Sequence, residues 1–426
     1  AELLREPPAA VSVGSAVGNP SPEGAALPLA GVKILDFMWA LAGPAATRML
    51  ADYGAEVVRV ESASKHDPIR GGRPFVDRQF GMETGALFHG TNASKRMLGL
   101  DLAKPGARDV VLDLVRWADV VCESFTPGAM ERMGFGDDTL RKVNPDLVML
   151  STSLMGQSGR LASFSGYGNL SAAVVGFHEM TGWPDREACG PYGAYTDYVT
   201  PKFVASAILA ALEQRERTGT GVHLDLSQAE ASLHFLAPAL LDVLVNDADP
   251  TRVGNRDAIY APHGCYPVKG DDRWIAIAVE DDRGFVDLCG VLDCEALASD
   301  PRFTTARDRL QNAEALDGAL GERTRAHEGP PLEAQLQARG VACHSVQNSA
   351  AACADPQLEA RGHFVRLESG DAYMIVEDTR SRLSRTPRQI RHGVPTLGRD
   401  NWAILTEFLG YDEARVAKLA ATGVLE

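Results

Sequence analysis

Along its first half the chain alternates short apolar runs with stretches whose apolar residues recur at helical spacing. Val32–Phe37 (VKILDF) is the first run, and Gly43-Pro44 opens a helical pattern carried by Ala46, Met49 and Leu50 that Gly54 closes. Val57–Val60 (VVRV) follows as a second strand. A strand, a helix and a strand in this order form a βαβ unit and imply a parallel sheet. The same reading assigns strands to Met97–Asp101, Val120–Cys122, Leu147–Ser151 and Val222–Leu226, and a helix to Ala107–Trp117. Residues 28–230 are therefore expected to form a doubly wound, Rossmann-like α/β domain. Ligands of such sheets lie beyond the carboxyl ends of the strands, which makes the loops after Phe37, Val60, Cys122 and Ser151 candidate site walls. The first unit lacks GxGxxG, so it carries no dinucleotide fingerprint.

The strongest helical pattern follows the turn GPYGAYTDYV, which delivers Asp197 to it. Thr200 is the expected N-cap and Pro201 the first helical residue, because a proline there loses no intrahelical hydrogen bond. Val204, Ile208, Leu209 and Leu212 give the apolar face, and Gly219 and Gly221 close it. A carboxylate just ahead of a helix is stabilised as an anion by the unpaired N–H groups, so taken alone Asp197 is a capping acid. Ser227 and Glu230 form a capping box for a helix expected through Leu244.

Residues 231–255 are expected to be helix and linker, the polar stretch Asn246–Asn255 being the linker. Residues 256–365 differ in style. Gly264–Val268 and Trp274–Val279 flank Gly270-Asp271-Asp272, a hairpin signal within a smaller α+β domain. Phe364–Asp378 holds another turn-linked strand pair, and residues 366–426 are a return segment to the large domain, largely helical from Asn401 to Gly423. Residues 1–27 are rich in Pro, Ala and Gly and lack the basic region and apolar core of a signal peptide, so they are expected to be a disordered leader, processed or fused.

Composition narrows the function classes. With 57 acidic residues against 42 basic, the formal net charge is −15, which disfavours nucleic acid or an anionic membrane as partner. No apolar run is long enough to span a bilayer. The 7 cysteines are scattered without a CxxC, the pattern of reduced thiols in a cytoplasmic protein. Cys343 and His344 adjoin, but two neighbours without a second pair make no metal site, and no metal is expected.

Several segments, taken in order, resemble the family III CoA-transferases of the formyl-CoA transferase type. They are LAGVKILDF at 29–37, AGP at 42–44, GAEVVRVE at 54–61 and NASKRMLGLDL at 92–102. ADVVCESFTPGAMERMG at 118–134, NPDLVMLSTSLMGQSG at 144–159, the turn carrying Asp197 and GNRDAIYAPHGCYPV at 254–268 complete the set. The resemblance runs from Leu29 to the C-terminus. It implies an interlocked dimer of chains threaded through one another, with acyl-CoA and a carboxylic acid as substrates and no tightly bound cofactor.

The resemblance gives Asp197 the role of nucleophile, forming a mixed anhydride and then an aspartyl-CoA thioester. A carboxylate nucleophile divides one difficult exchange into easier acyl transfers. It also implies that CoA meets Ala40, Leu41 and Ala42 after the first strand, an adenine pocket at Leu100, Ser124 and Phe125 after the fourth strand, and a phosphate contact at Arg132. Lys95 and Arg96 add positive charge nearby, or pair with Asp101 or Glu83. Where formyl-CoA transferase has a basic residue, a Lys and a Gln, this chain has Ser62, Ser153 and Leu41, and the Gly-rich lid has no clear counterpart. Trp39, Leu41, Met155 and Trp183 suggest an acyl group larger and more apolar than formate or oxalate.

Two rival readings stand beside this one. The α-methylacyl-CoA racemases of the same superfamily keep the Asp and add a His, where this chain has Tyr167 in Gly166-Tyr167-Gly168-Asn169-Leu170. A proton transfer across one carbon needs a base on each face, and only the distant His178 offers a substitute. Tyr167 instead resembles a transferase pocket residue. The other rival is the Asp-bearing subunit of a heteromeric CoA-transferase, paired with a homologous chain rather than with a copy of itself.

Overall fold

The computed structural model describes residues 27–369, 372–386, 389–394 and 396–426. The leader expected over residues 1–27 lies, apart from Leu27, outside the described residues. Six strands, β1 (Lys33–Asp36), β2 (Glu56–Glu61), β3 (Arg96–Gly99), β4 (Val120–Glu123), β5 (Val148–Ser153) and β6 (His223–Ser227), form one sheet. All pairings are parallel and the order is β3-β2-β1-β4-β5-β6. This is the Rossmann-like order, whose winding reverses between β1 and β4.

Alternation along each strand supplies two apolar faces. Ile34, Val57, Val120, Val148 and Leu150 pack with Ala46 and Leu50 of the helix Ala42–Asp52 and with Val204 and Ile208 of the helix Tyr195–Thr218. Leu35, Val58, Leu98, Val121 and Met149 pack on the other side with Val110 and Leu114 of the helix Ala107–Trp117 and with Leu405 and Val416. Covering both faces is what a parallel sheet requires. Each fully buried aliphatic side chain here contributes about 1.5–3 kcal/mol.

Two helices depart from the sequence reading. The long one begins at Tyr195, not at Pro201, so Pro201 sits inside it and Asp197 in its first turn. Pro201 lacks the N–H that would reach the Asp197 carbonyl, and the Thr200 hydroxyl, rather than capping, donates back to the Thr196 carbonyl at 2.8 Å. Ser227 does cap, accepting from the Glu230 N–H at 3.2 Å, but its helix stops at Leu233. A 3-10 turn at His234–Leu236 intervenes before a separate helix, Ala237–Asn246, which has Pro238 in its first turn.

The chain divides into two compact units. One comprises the chain up to Phe177, Gly190–Ala248 and Asp355–Glu426, and the other His178–Cys189 and Asp249–Ala354. In the second unit β7 (His263–Pro267), β8 (Trp274–Ala278) and β9 (Ala342–Ser345) form an antiparallel sheet, with β7 and β8 joined at the expected hairpin. Ile275, Ile277, Phe285, Leu320 and Leu336 centre its core. In the first unit β10 (Phe364–Ser369) and β11 (Ala372–Glu377) pair antiparallel. Arg48 holds this hairpin by donating to the Glu377 carbonyl at 2.6 Å. No helix among the described residues is long and apolar enough to cross a membrane.

Candidate active site

The reversal of winding brings the loops after β1 and β4 together. The Trp39 N–H donates to Ser124 Oγ at 2.9 Å, and the Trp39 and Phe125 rings meet edge to face with centroids 5.8 Å apart. Ala40 has φ 62°, a left-handed conformation that costs a residue with a side chain about 1–2 kcal/mol. Its N–H is held by both carboxylate oxygens of Asp67, at 3.0 and 3.1 Å. Asp67 is itself paired with Arg59 at 2.5 Å, and Arg59 and Lys95 share the Asn92 side-chain oxygen, each at 2.9 Å.

Lys95 closes this buried network. Its ammonium reaches Asp36 at 3.0 Å and the Pro44 carbonyl at 2.9 Å, and burial lowers its pKa to about 8. Burial pushes the Asp36 carboxyl up, but Lys95 and Arg59 outweigh it and hold the pKa below the ordinary value. For Asp67 burial wins over Arg59 and its pKa is raised. Lys95 therefore pairs with neither Asp101 nor Glu83. Arg96 pairs with Glu56 at 3.0 Å, and Glu83 is taken by Arg70 at 3.0 Å.

At the carboxyl end of β4, Glu123 is buried and accepts the Phe125 N–H at 2.7 Å. Burial, only partly opposed by hydrogen bonds from Ser151 and Phe125, raises its pKa to about 7. The Ser151 hydroxyl in turn meets His223 Nε2 at 2.9 Å.

Asp197 is buried where the helix Tyr195–Thr218 meets the start of the helix Gly168–Val174. The Gly168 N–H donates to its Oδ2 at 3.2 Å, and Gln228 Nε2 donates to its Oδ1 at 2.6 Å. Gln228, from the first turn of the helix after β6, also donates to Thr196 Oγ1 at 2.9 Å, while the Thr196 hydroxyl donates to the Gly168 carbonyl at 2.9 Å. Burial raises the Asp197 pKa, and the donors from Gln228 and Gly168 lower it by less. Among the described residues the carboxylate thus has one donor on each oxygen and no neighbouring cation bonded to it. That leaves it more basic, and so more nucleophilic, than a salt-bridged aspartate.

The other residues singled out in the sequence fall in different places. Trp39, Ala40, Leu41, Ala42, Ser124 and Phe125 gather at the two switch-point loops. Leu100 has no accessible surface; it belongs to the core and its backbone bridges to Leu425. Arg132 is exposed and its guanidinium lies 3.5 Å from the Pro127 carbonyl. Tyr167, at 62% exposure, immediately precedes the Gly168 that holds Asp197. Met155 packs beside Ala172 and Val175, whereas Trp183 and His178 belong to the second unit. Sequence reasoning missed Gln228 and Asp67, because each acts across the fold on a residue far away in the chain. The one available signal was Ser227-Gln228 at the end of a strand, which reads as a cap and nothing more. Among the described residues no cluster of His, Cys, Asp and Glu is arranged to hold a metal.

Comparison with known proteins decides the family. The sequence profile of CoA-transferase family III matches residues 29–401. The chain belongs to CoA-transferase family III. It is 32% identical over 383 residues to the succinate–glutarate CoA-transferase of Agrobacterium fabrum, covering 89% of this chain and 95% of that protein. It is likewise 32% identical over 382 residues to the acetyl-CoA:oxalate CoA-transferase of Acetobacter aceti, covering 89% and 96%. A CaiB/BaiF family protein from Brucella suis has the same fold, with a TM-score of 0.84 at 32% identity, over 90% of this chain and 100% of that one. This family III protein is an enzyme with CoA-transferase activity, and its substrates are CoA thioesters and acids.

Proposed function

We propose that this chain moves CoA from an acyl-CoA donor to a carboxylic acid through covalent intermediates on Asp197. The observation that carries the reading is the Asp197 carboxylate itself, buried, held by one donor on each oxygen and, among the described residues, unpaired with any cation. Its oxygen attacks the donor thioester carbonyl, the carbon–sulfur bond breaks, and CoA leaves as thiolate, giving a mixed anhydride. The thiolate then attacks Asp197 Cγ, the donor acid departs as a carboxylate, and an aspartyl-CoA thioester remains. The acceptor carboxylate displaces CoA from Cγ to give a second anhydride. Attack of the thiolate on the acceptor carbonyl releases acceptor-CoA and restores the Asp197 carboxylate. Every step exchanges one acyl bond for another, which is how covalent catalysis lowers each barrier.

In this reading CoA runs along the switch-point loops, past Trp39, Ala40, Leu41, Ala42, Ser124 and Phe125, with Arg132 toward a phosphate, Leu100 behind the adenine and Tyr167 beside the acyl group. No tightly bound cofactor is required, coenzyme A entering as part of the acyl-CoA substrate. The dimer expected from the resemblance is supported by the helix Ala237–Asn246, which is apolar and has no buried residue; Leu241 is 58% and Leu244 81% exposed. We assign that surface to a second copy of the chain, and we propose domains over residues 28–230, the linker 231–255, 256–365 and a return segment 366–426. A solution mass of a monomer that becomes active only with a homologous chain would replace the homodimer by a heteromer.

The test is intact-mass analysis with acyl-CoAs and hydroxylamine, which converts an aspartyl anhydride or thioester to a hydroxamate. Succinyl-CoA, glutaryl-CoA and acetyl-CoA with dicarboxylic acids form the first panel, because the named relatives act on such acids. A donor-dependent hydroxamate at Asp197, absent in Asp197→Asn, is the expected result. No adduct, together with solvent-deuterium exchange at an acyl α-carbon, would replace the transferase by the isomerase.

A further inference from the structure

Among the described residues Gln228 is the one side chain bonded to Asp197, and the orientation of its amide is set by the surrounding hydrogen bonds. The Thr196 hydroxyl has a single proton, committed to the Gly168 carbonyl at 2.9 Å, since a carbonyl only accepts. Toward Gln228, Thr196 Oγ1 is therefore an acceptor, and the group 2.9 Å from it must be the NH2 end of the amide. The same nitrogen lies 2.6 Å from Asp197 Oδ1, where an amide oxygen would face a carboxylate oxygen. Both constraints choose the same orientation. Gln228 and Thr196 are buried, so water does not compete for these groups.

Resting on the reading of Asp197 as acyl carrier, we infer that Gln228 is a catalytic residue that makes the two Asp197 oxygens chemically distinct. Oδ2, held by the longer backbone contact at 3.2 Å, attacks the donor carbonyl and becomes the bridging oxygen of the anhydride. Oδ1 stays as the carbonyl oxygen under the Gln228 amide. When CoA thiolate adds to Cγ, the carbonyl electron pair moves onto Oδ1, where Gln228 Nε2–H stabilises the oxyanion. The pair returns as the Cγ–Oδ2 bond breaks, and Oδ2 leaves with the donor acid. The acceptor carboxylate then adds to Cγ, again placing charge on Oδ1, and CoA thiolate departs. When the acceptor is finally transferred to CoA, one of its oxygens remains on Cγ as the new Oδ2. Each turnover thus replaces one Asp197 oxygen and keeps the other.

The experiment is identity exchange between an acyl-CoA and an excess of its own acid labelled with heavy oxygen in both carboxylate positions. After many turnovers the Asp197 peptide is weighed. The wild-type enzyme is expected to carry one heavy oxygen and no more. In Gln228→Leu the carboxylate is free to turn over, so two heavy oxygens accumulate, and conversion of the anhydride to the aspartyl-CoA thioester slows by roughly 10²–10³-fold, the loss typical of removing one oxyanion donor. Gln228→Glu keeps the shape and guards against a variant that does not fold. Its carboxyl donates only when protonated while Asp197 must stay ionised, so its thioester formation is lost as the pH rises, where that of wild type is not. Two heavy oxygens in the wild type, or a Gln228→Glu enzyme with the wild-type rate and pH profile, would overturn the assignment of Gln228. Those results leave Asp197 as carrier intact. No heavy oxygen at all in the wild type would instead remove Asp197 as carrier, and Gln228 with it.

Discussion

Gly168 donates its backbone N–H to Asp197 Oδ2 at 3.2 Å, and a Cβ added to Gly168 would lie 2.7 Å from that same oxygen. The carboxylate occupies the space a side chain would need. The backbone at the start of that helix thereby both bonds the candidate nucleophile and limits the room around it.

Gly168→Ala should therefore displace Asp197. Adduct formation is expected to fall by about 10²-fold, the penalty for misplacing a reacting group by about an ångström. Stability should drop by about 1–3 kcal/mol, as for other overpacked sites. Single-turnover trapping and urea denaturation measure the two effects separately. An alanine enzyme with unchanged trapping would mean that the Gly168 contact does not matter.

The raised pKa of Asp197 fixes the sign of the pH response. The nucleophile must be ionised, so adduct formation is lost as the pH falls through the folded-state pKa. Because burial raises that pKa, the loss should begin above the range of an ordinary aspartate. A pH profile of single-turnover adduct formation tests this, and an acid limb at or below the ordinary aspartate value would contradict it.

Glu123 offers a stability test independent of catalysis. Its pKa is about 7 in the folded chain against an ordinary 4.5, so the folded state binds the extra proton between those values. The contribution is fully present below about pH 4.5 and is lost as the pH rises through about 7. At about 1.4 kcal/mol per pKa unit, the loss is on the order of 3 kcal/mol. Glu123→Gln is neutral at every pH and its oxygen can still accept the Phe125 N–H. The variant should flatten this slope and be the more stable protein near pH 8. Thermal unfolding at two pH values decides it.

Asp67 and Ala40 make opposite predictions about one contact. Asp67→Ala strips Arg59 of its 2.5 Å partner inside the protein, and breaking a buried pair from one side typically costs about 3–5 kcal/mol. Ala40→Gly removes the left-handed strain and should be neutral or stabilising by up to about 1 kcal/mol. A lowered denaturant midpoint in Ala40→Gly would mean that the left-handed Ala40 carries no strain that glycine relieves.

Much of this enzyme was legible in the chain itself. Apolar runs such as Ile34-Leu35 and Val57-Val58, separated by helical patterns, placed the parallel strands, because burial on both faces leaves few other arrangements for such runs. The ordered motifs around them named the family and drew attention to Asp197. The start of the Asp197 helix was misread because Thr200-Pro201 is a strong local signal for a first turn, yet Tyr195 begins the helix and Pro201 is tolerated within it. Lys95 was misassigned for a related reason: its partner, Asp36, is distant in sequence and adjacent only once β1 and β3 share a sheet. Local pattern determines which segments become strands and helices, since the periodicity of burial is written residue by residue. Which groups meet at the carboxylate was decided by the tertiary structure alone. Gly168, Thr196 and Gln228 come from separate stretches of the chain, and the hydrogen bonds that give each Asp197 oxygen its own donor exist only after those stretches have packed.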